Sequence, residues 1–198
     1  MKDYYMWGFH EGENRHTDLP SFLKGRDVLW PKDIEPLVEK HPELHNIWGK
    51  INRWATKCDI ARYLFLYYNT GTYLDTDCIK LKDVPKDILE SNDVILYTEH
   101  IGLPTGPRED KSITLRVASF ILTSPKIHQN FWLECINESV KRIKSILGTK
   151  WTDKDVLWSA GPGMVSEVYH NLEDKSGIIV LDDTYVNHYA AGSWRTNA

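Results

Sequence analysis

Cysteine is scarce in this 198-residue chain, and the three present are poorly placed for cross-linking. Cys58, Cys78 and Cys135 are odd in number, far apart and without C-x-x-C spacing. That argues against a disulfide framework or a zinc site and agrees with a reducing compartment, so a cytoplasmic location is expected. No apolar run approaches the ~18 residues a membrane span needs, and no signal-peptide pattern opens the chain. The chain as written is therefore expected to be soluble. A basic stripe is missing too. With 24 Lys and Arg against 28 Asp and Glu the net charge is -4, which makes nucleic acid a poor partner.

What remains is an ordinary globular composition, 26% charged and 41% hydrophobic, in a length that fits one domain spanning residues 1–198. Aromatics are the exception. Eight Trp and ten Tyr are many for this length, and such rings serve either a core or stacking on sugars and bases.

The stretch that organises the chain is Ala55 to Leu81. Ile60, Tyr63, Leu64, Leu66 and Tyr67 recur at helical spacing, which predicts a largely buried helix over Trp54–Tyr68. Asn69-Thr70-Gly71 ends it, with Gly71 suited to a left-handed cap. Thr72-Tyr73-Leu74 is a short β-prone run that delivers Asp75 and Asp77. Residues i and i+2 of a strand share a face, so both acids are expected to address one cation. Unpaired and adjacent they would repel, and burying either alone is costly. A divalent ion removes both costs, and oxygen ligands suit Mg²⁺ or Mn²⁺.

Around this stretch the pattern alternates between strands and helices. Strands are expected at Asp3–Gly8, Arg26–Trp30, Asp93–Thr98, Leu115–Thr123 and Gly177–Leu181. Helices are expected after Pro31, over Leu44–Ile51, Pro85–Glu90, Lys126–Leu147, Asp153–Trp158 and Met164–Leu172. Phe131, Trp132, Cys135, Ile136, Val140, Ile143 and Leu147 form the apolar stripe of the longest of these. Gly102–Lys111 lacks periodicity and reads as a functional or mobile loop on an acceptor side. The sum is an α/β domain, a central mixed sheet with helices on both faces and a ligand at the carboxyl ends of the strands.

Cys58-Asp59-Ile60-Ala61-Arg62-Tyr63 followed by Gly71-Thr72-Tyr73-Leu74-Asp75-Thr76-Asp77 resembles the DXD sugar-binding region of GT-A glycosyltransferases, notably the fungal initiating mannosyltransferases and the bacterial glucosylating toxins. Thr70-Gly71-Thr72 stands where that family usually has a Gly pair. The compact size is similar to that of small virus-encoded members. The resemblance implies a GT-A-like fold, a divalent metal (Mn²⁺ or Mg²⁺), a nucleotide-sugar donor, expected to be a UDP sugar, and a glycan acceptor. It also implies retention of anomeric configuration.

Carried onto this sequence, the resemblance places Trp7 against uracil, with Asp59, Arg62, Tyr73 and Asp75 on the donor. Asp75 and Asp77 would be joined at the metal by His188, from a C-terminal "His … Gly-Ser-Trp". Ser193 and Trp194 would close over the diphosphate. Gly161-Pro162-Gly163 is similar to a family turn whose helix amides approach the donor, and Asp155 is the expected acid facing the donor sugar. Arg62 would assist catalysis as a fixed cation. An inverting enzyme would instead need a carboxylate base, for which Glu99, Glu109, Asp110 and Asp155 are available. Two readings from other classes stand beside this one. One is a metal-dependent phosphohydrolase using Asp75, Asp77, Asp182 and Asp183; the other is a non-catalytic nucleotide-sugar-binding module.

Overall fold

The computed structural model describes residues 1–9, 19–99 and 115–189. The elements run β1 (Asp3–Met6), a 3-10 turn (Ser21–Leu23), β2 (Asp27–Leu29), α1 (Pro31–Val38), α2 (Pro42–Trp48) and α3 (Trp54–Tyr68). Then come β3 (Gly71–Leu74), β4 (Cys78–Lys80), α4 (Lys86–Glu90), β5 (Val94–Tyr97), β6 (Ile121–Ser124) and α5 (Asn130–Ile146). The chain continues with α6 (Asp153–Ser159), α7 (Pro162–Asn171), β7 (Ile178–Leu181), a 3-10 turn (Asp183–Tyr185) and β8 (Val186–His188).

Six strands form one sheet in the order β2-β1-β3-β6-β5-β7. Only β6 runs against its neighbours; β1, β2, β3, β5 and β7 share one direction. The sheet is mixed, as expected. The chain leaves β1 for β2 on one side, then returns through three helices to place β3 on the other side of β1. The carboxyl ends of β1 and β3 therefore flank a topological switch point, where open α/β sheets bind ligands.

Strand alternation divides the core in two. Met6, Tyr73, Val94, Leu96 and Leu122 face a large cluster with Ile60, Leu64, Trp132, Ile136 and Met164. Tyr5, Leu74, Ile95, Tyr97 and Ile121 face a smaller one with Leu23, Cys78, Val84 and Val186. The helical cover is lopsided. Residues of α1, α2, α3, α5, α6 and α7 lie in or against the large cluster. The other face holds α4, the Ser21–Leu23 turn and the β4–β8 ribbon, a separate antiparallel pair.

Helix α3 is continuous with its apolar pattern: Ile60, Ala61, Tyr63, Leu64 and Leu66 are fully buried. Gly71 plays a different part from the expected cap. Asn69, in extended backbone, terminates α3, and Gly71 lies at φ +149° as the first residue of β3. A Cβ there would stand 2.5 Å from the Tyr4 ring, so close packing as well as backbone angle demands glycine. The strand expected over Leu115–Thr123 is shorter. Only Ile121–Ser124 is strand; before it, Val117 makes a single bridge to Thr98 and the chain bends through Ser119 and Phe120. The helix expected from Lys126 starts at Asn130, because His128 takes a left-handed turn at φ 56°. The Gly102–Lys111 loop lies outside the described residues. Cys58, Cys78 and Cys135 are all free and buried. Among the described residues no helix is long and apolar enough to cross a membrane.

Candidate active site

The two acids of Asp75-Thr76-Asp77 do not continue β3. They lie on a tight turn closed by the Cys78 amide donating to the Asp75 carbonyl at 3.1 Å. A turn replaces strand alternation, so the acids part company: Asp75 faces α3 and Asp77 faces β8.

Asp75 joins a buried network around Arg62. The Arg62 Nη2 stands 2.9 Å from Asp59 Oδ1 and 3.2 Å from Asp75 Oδ1. Its Nη1 donates to the Ser119 carbonyl, and its Nε donates to the Cys58 carbonyl at 3.4 Å. The guanidinium carbon sits 4.6 Å from the centroid of the Tyr73 ring, and the Tyr73 hydroxyl donates to Asp75 Oδ1 at 2.5 Å. A planar guanidinium suits this fork of two carboxylates and two carbonyls better than an ammonium would.

Burial and charge oppose each other in this network. Burial pushes the Asp59 carboxyl up to about 7, with Arg62 pulling it down and Asp75 pushing it further up. Burial works against the Arg62 charge, but the carboxylates of Asp75 and Asp59 outweigh it and hold the guanidinium charged. One cation thus serves two acids, and the more deeply buried acid, Asp59, is the one left poised near neutrality. Tyr73 is held firmly as a phenol, chiefly by burial.

Asp77 meets His188 across the ribbon. Cys78 pairs with His188 in the β4–β8 register, and His188 Nε2 lies 3.5 Å from Asp77 Oδ2. The Tyr189 amide donates to the Asp77 carbonyl at 3.0 Å, which fixes the turn to the end of β8. Ligand atoms of Asp77, Cys78 and His188 all fall within 4.8 Å of one another. Burial alone would lower His188, but Asp77, followed by Asp75 and Glu99, raises it on balance. The Cys78 thiol is pushed far up by burial, and sulfur is a soft ligand that suits Mg²⁺ and Mn²⁺ poorly. The donors of this cluster that would fit an Mg²⁺- or Mn²⁺-class ion are Asp77 oxygen and His188 nitrogen.

The other expected residues divide. Trp7 stands just past the carboxyl end of β1, its amide donating to the Leu29 carbonyl at 3.0 Å and its ring partly buried against the smaller cluster. It is therefore at the switch point beside β3. Asp155 occupies the first turn of α6, where its Oδ2 accepts from the Thr152 amide at 2.8 Å and the Thr152 hydroxyl at 2.7 Å. Its carboxylate caps a helix, and Thr-x-x-Asp ahead of an apolar run was a readable sign of that. The start of α7 is buried. There the carbonyl of Ala160 receives the Tyr63 hydroxyl at 2.7 Å, and the Ser166 hydroxyl oxygen accepts the Val117 amide at 2.8 Å. Glu99 forms an ion pair with Arg116 at 3.0 Å. Ser193, Trp194, Glu109 and Asp110 lie outside the described residues.

Sequence reasoning missed the stretch Arg116–Phe120, whose backbone joins the two halves of the site. Ser119 offers its carbonyl to Arg62, and Phe120 offers its own to the Asp75 amide at 2.8 Å. The phosphohydrolase reading loses its rear acids. Asp182 follows β7, three strands from β3 in the sheet order, about 14 Å away at ordinary strand spacing. There it accepts from the Thr184 amide at 3.0 Å.

A mixed sheet with one reversed strand and acids on the turn after β3 defines the class, a GT-A-like α/β domain. Residues 4–96 match the family described as "Glycosyltransferase sugar-binding region containing DXD motif". Among solved structures, one titled "PaToxG Glycosyltransferase" is similar over 73% of this chain, with a TM-score of 0.52 and 16% sequence identity. The chain covers 47% of that structure, about half its length. No curated protein matches. These findings bear out the resemblance seen in the sequence: residues 4–96, from β1 into β5, match a DXD-type glycosyltransferase sugar-binding region, and the fold is similar to that of a glycosyltransferase structure.

Proposed function

We propose that this protein is a metal-dependent glycosyltransferase that moves a hexose or 6-deoxyhexose from a nucleotide-diphosphate sugar, a UDP sugar, to a glycan acceptor with retention, the whole chain acting as one catalytic domain. The observation that carries the reading is the turn Asp75–Cys78. It gives one acid to a buried arginine and the other to a histidine on a distant strand, at the carboxyl edge of a DXD-type sheet.

In this reading the two acids divide the donor. Asp77 and His188 hold a Mn²⁺ or Mg²⁺ ion, which when bound supplies a Lewis acid for the leaving diphosphate. Asp75 is turned by Tyr73 and Arg62 so that its second oxygen remains for ribose or for a metal-bound water. Arg62 is fixed by five contacts and acts as a pre-organised cation where charge develops. Asp59 accepts from sugar hydroxyls, and Trp7 stacks on the base. Ser193 and Trp194 complete the diphosphate side. Asp155 receives no catalytic task here, because its carboxylate caps α6.

The test is release of nucleoside diphosphate from a panel of UDP and GDP sugars with Mn²⁺, with Mg²⁺ and with chelator. Release from one donor, abolished by chelator and in Asp77→Ala, is the expected result. A panel silent with every donor and metal, together with turnover of an aryl phosphate, would overturn it.

A further inference from the structure

The β4–β8 ribbon brings Asp77 and His188 together, but two strands of three residues do not by themselves fix an imidazole ring. The fixing contact comes from a third element. The Phe120 ring lies against the His188 ring with centroids 4.0 Å apart and planes inclined by 30°, a stacked arrangement. Phe120 is itself buried in the smaller core cluster beside Leu74, Cys78 and Val186. The same residue holds the other ligand's turn through its backbone. Its carbonyl accepts from the Asp75 amide at 2.8 Å and faces the Cys78 thiol at 3.8 Å. Phe120 therefore grips both sides of the pair. Its carbonyl sets the turn that carries Asp77, and its ring sets the plane of His188.

We infer that Phe120 is a positioning residue for the metal pair, holding the His188 imidazole in the orientation from which its Nε2 and the Asp77 carboxylate face one ion. The inference rests on the reading of Asp77 and His188 as metal ligands. An imidazole on the end of a short strand rotates about two side-chain bonds, and a ligand that must be ordered on binding weakens affinity. A flat ring stacked on it removes most of that freedom in advance. Outer partners that orient metal ligands are commonly worth ten- to a hundredfold in affinity. A ring stack lacks a hydrogen bond's direction, so the expectation lies at the low end, about tenfold. The Phe120 side chain offers His188 only an apolar ring, so it contributes orientation and no chemistry.

The experiment is a double-mutant cycle read by calorimetric titration of Mn²⁺ into the full chain with UDP present. The variants are Phe120→Leu, Phe120→Tyr, His188→Ala and the Phe120→Leu/His188→Ala pair, each first checked for a cooperative melt. Phe120→Leu keeps an apolar side chain in the core but loses the flat ring. It is expected to weaken Mn²⁺ about tenfold, and Phe120→Tyr, which keeps the ring, to stay within about twofold of wild type. In the His188→Ala background Phe120→Leu is expected to cost nothing further, because the ring then has no imidazole to hold.

Equal losses from Phe120→Leu in both backgrounds would show a general packing role and overturn the inference, as would a Phe120→Leu affinity equal to wild type while His188→Ala is weak. A His188→Ala variant that binds Mn²⁺ as wild type does would sink the ligand assignment itself, and the inference with it. Should Phe120→Leu melt without cooperativity, the comparison passes to Phe120→Tyr and Phe120→Met. Methionine then takes the tenfold loss, and its absence overturns the inference.

Discussion

Replacing Asp59 by asparagine should make the protein more stable and less active, and the gain in stability should grow with pH. Asp59 is buried, and burial raises its carboxyl from an ordinary 3.8 to about 7 even beside Arg62. The sign follows from linkage. A group whose folded value lies above its unfolded value favours the fold below the unfolded value, and that advantage is lost as pH rises through the folded value. At 1.36 kcal/mol per pH unit, the loss accumulated from pH 3.8 is about 2 kcal/mol by pH 5 and about 4 kcal/mol by pH 8. Asparagine carries no proton to lose, and its carbonyl can still accept from Arg62. For a chain of this size about 2–4 °C of melting temperature accompanies each kcal/mol. Asp59→Asn should therefore melt a few degrees above wild type at pH 5 and of order 10 °C above it at pH 8. The assay is thermal unfolding by circular dichroism from pH 5 to pH 8 on both proteins. Activity should move the other way. In the proposed reading Asp59 accepts from sugar hydroxyls, and exchanging a charged acceptor for a neutral one costs about 1–1.5 kcal/mol, so kcat/KM for diphosphate release should fall about 10-fold. An Asp59→Asn protein that is less stable than wild type, or whose advantage is the same at pH 5 and pH 8, would refute the reasoning.

Two further outcomes follow from the same geometry. Mn²⁺ affinity should fall as pH drops through the His188 titration, which the neighbouring carboxylates set above the ordinary 6.5. A protonated imidazole cannot ligate, so the fall approaches tenfold per pH unit below that point; calorimetry over pH 5.5–8 reads it, and a flat wild-type profile would count against His188 as a ligand. Asp155→Ala should cost about 1 kcal/mol through loss of the α6 cap, seen in denaturant unfolding, while diphosphate release per folded molecule stays within about twofold. A tenfold loss of turnover in a stable Asp155→Ala protein would restore the donor-facing acid that the resemblance suggested.

Local patterns were readable and long-range ones were not. Helix α3 spans Trp54–Tyr68 as its periodicity predicts, because a run of buried residues on an uninterrupted helix needs no outside partner to be recognised. Trp7 and Asp75 were placed at the ends of their strands by local pattern, but that those ends flank a switch point depends on the strand order β2-β1-β3, which no local pattern shows. By contrast, Leu115–Thr123 reads as one strand because its composition suits a strand throughout. The bend at Ser119–Phe120 that lets two consecutive carbonyls face Arg62 and Asp75 leaves no mark in composition. The parting of Asp75 from Asp77 was hidden for a similar reason. Whether two acids two residues apart sit on a strand or a turn depends on what the Cys78 amide bonds to, and β4 pairs with a strand more than a hundred residues later. The capping role of Asp155 was legible. Thr152-x-x-Asp155 is a capping signature, and the helix start it predicts is the one observed.

The most direct measurement is calorimetric titration of UDP into wild type and Asp77→Ala, each with Mn²⁺ and each with chelator. If the turn after β3 and His188 form a metal-assisted diphosphate site, UDP binds wild type only when Mn²⁺ is present and fails to bind Asp77→Ala in either condition. Binding of UDP that survives chelator, or that is as tight in Asp77→Ala as in wild type, would contradict the account.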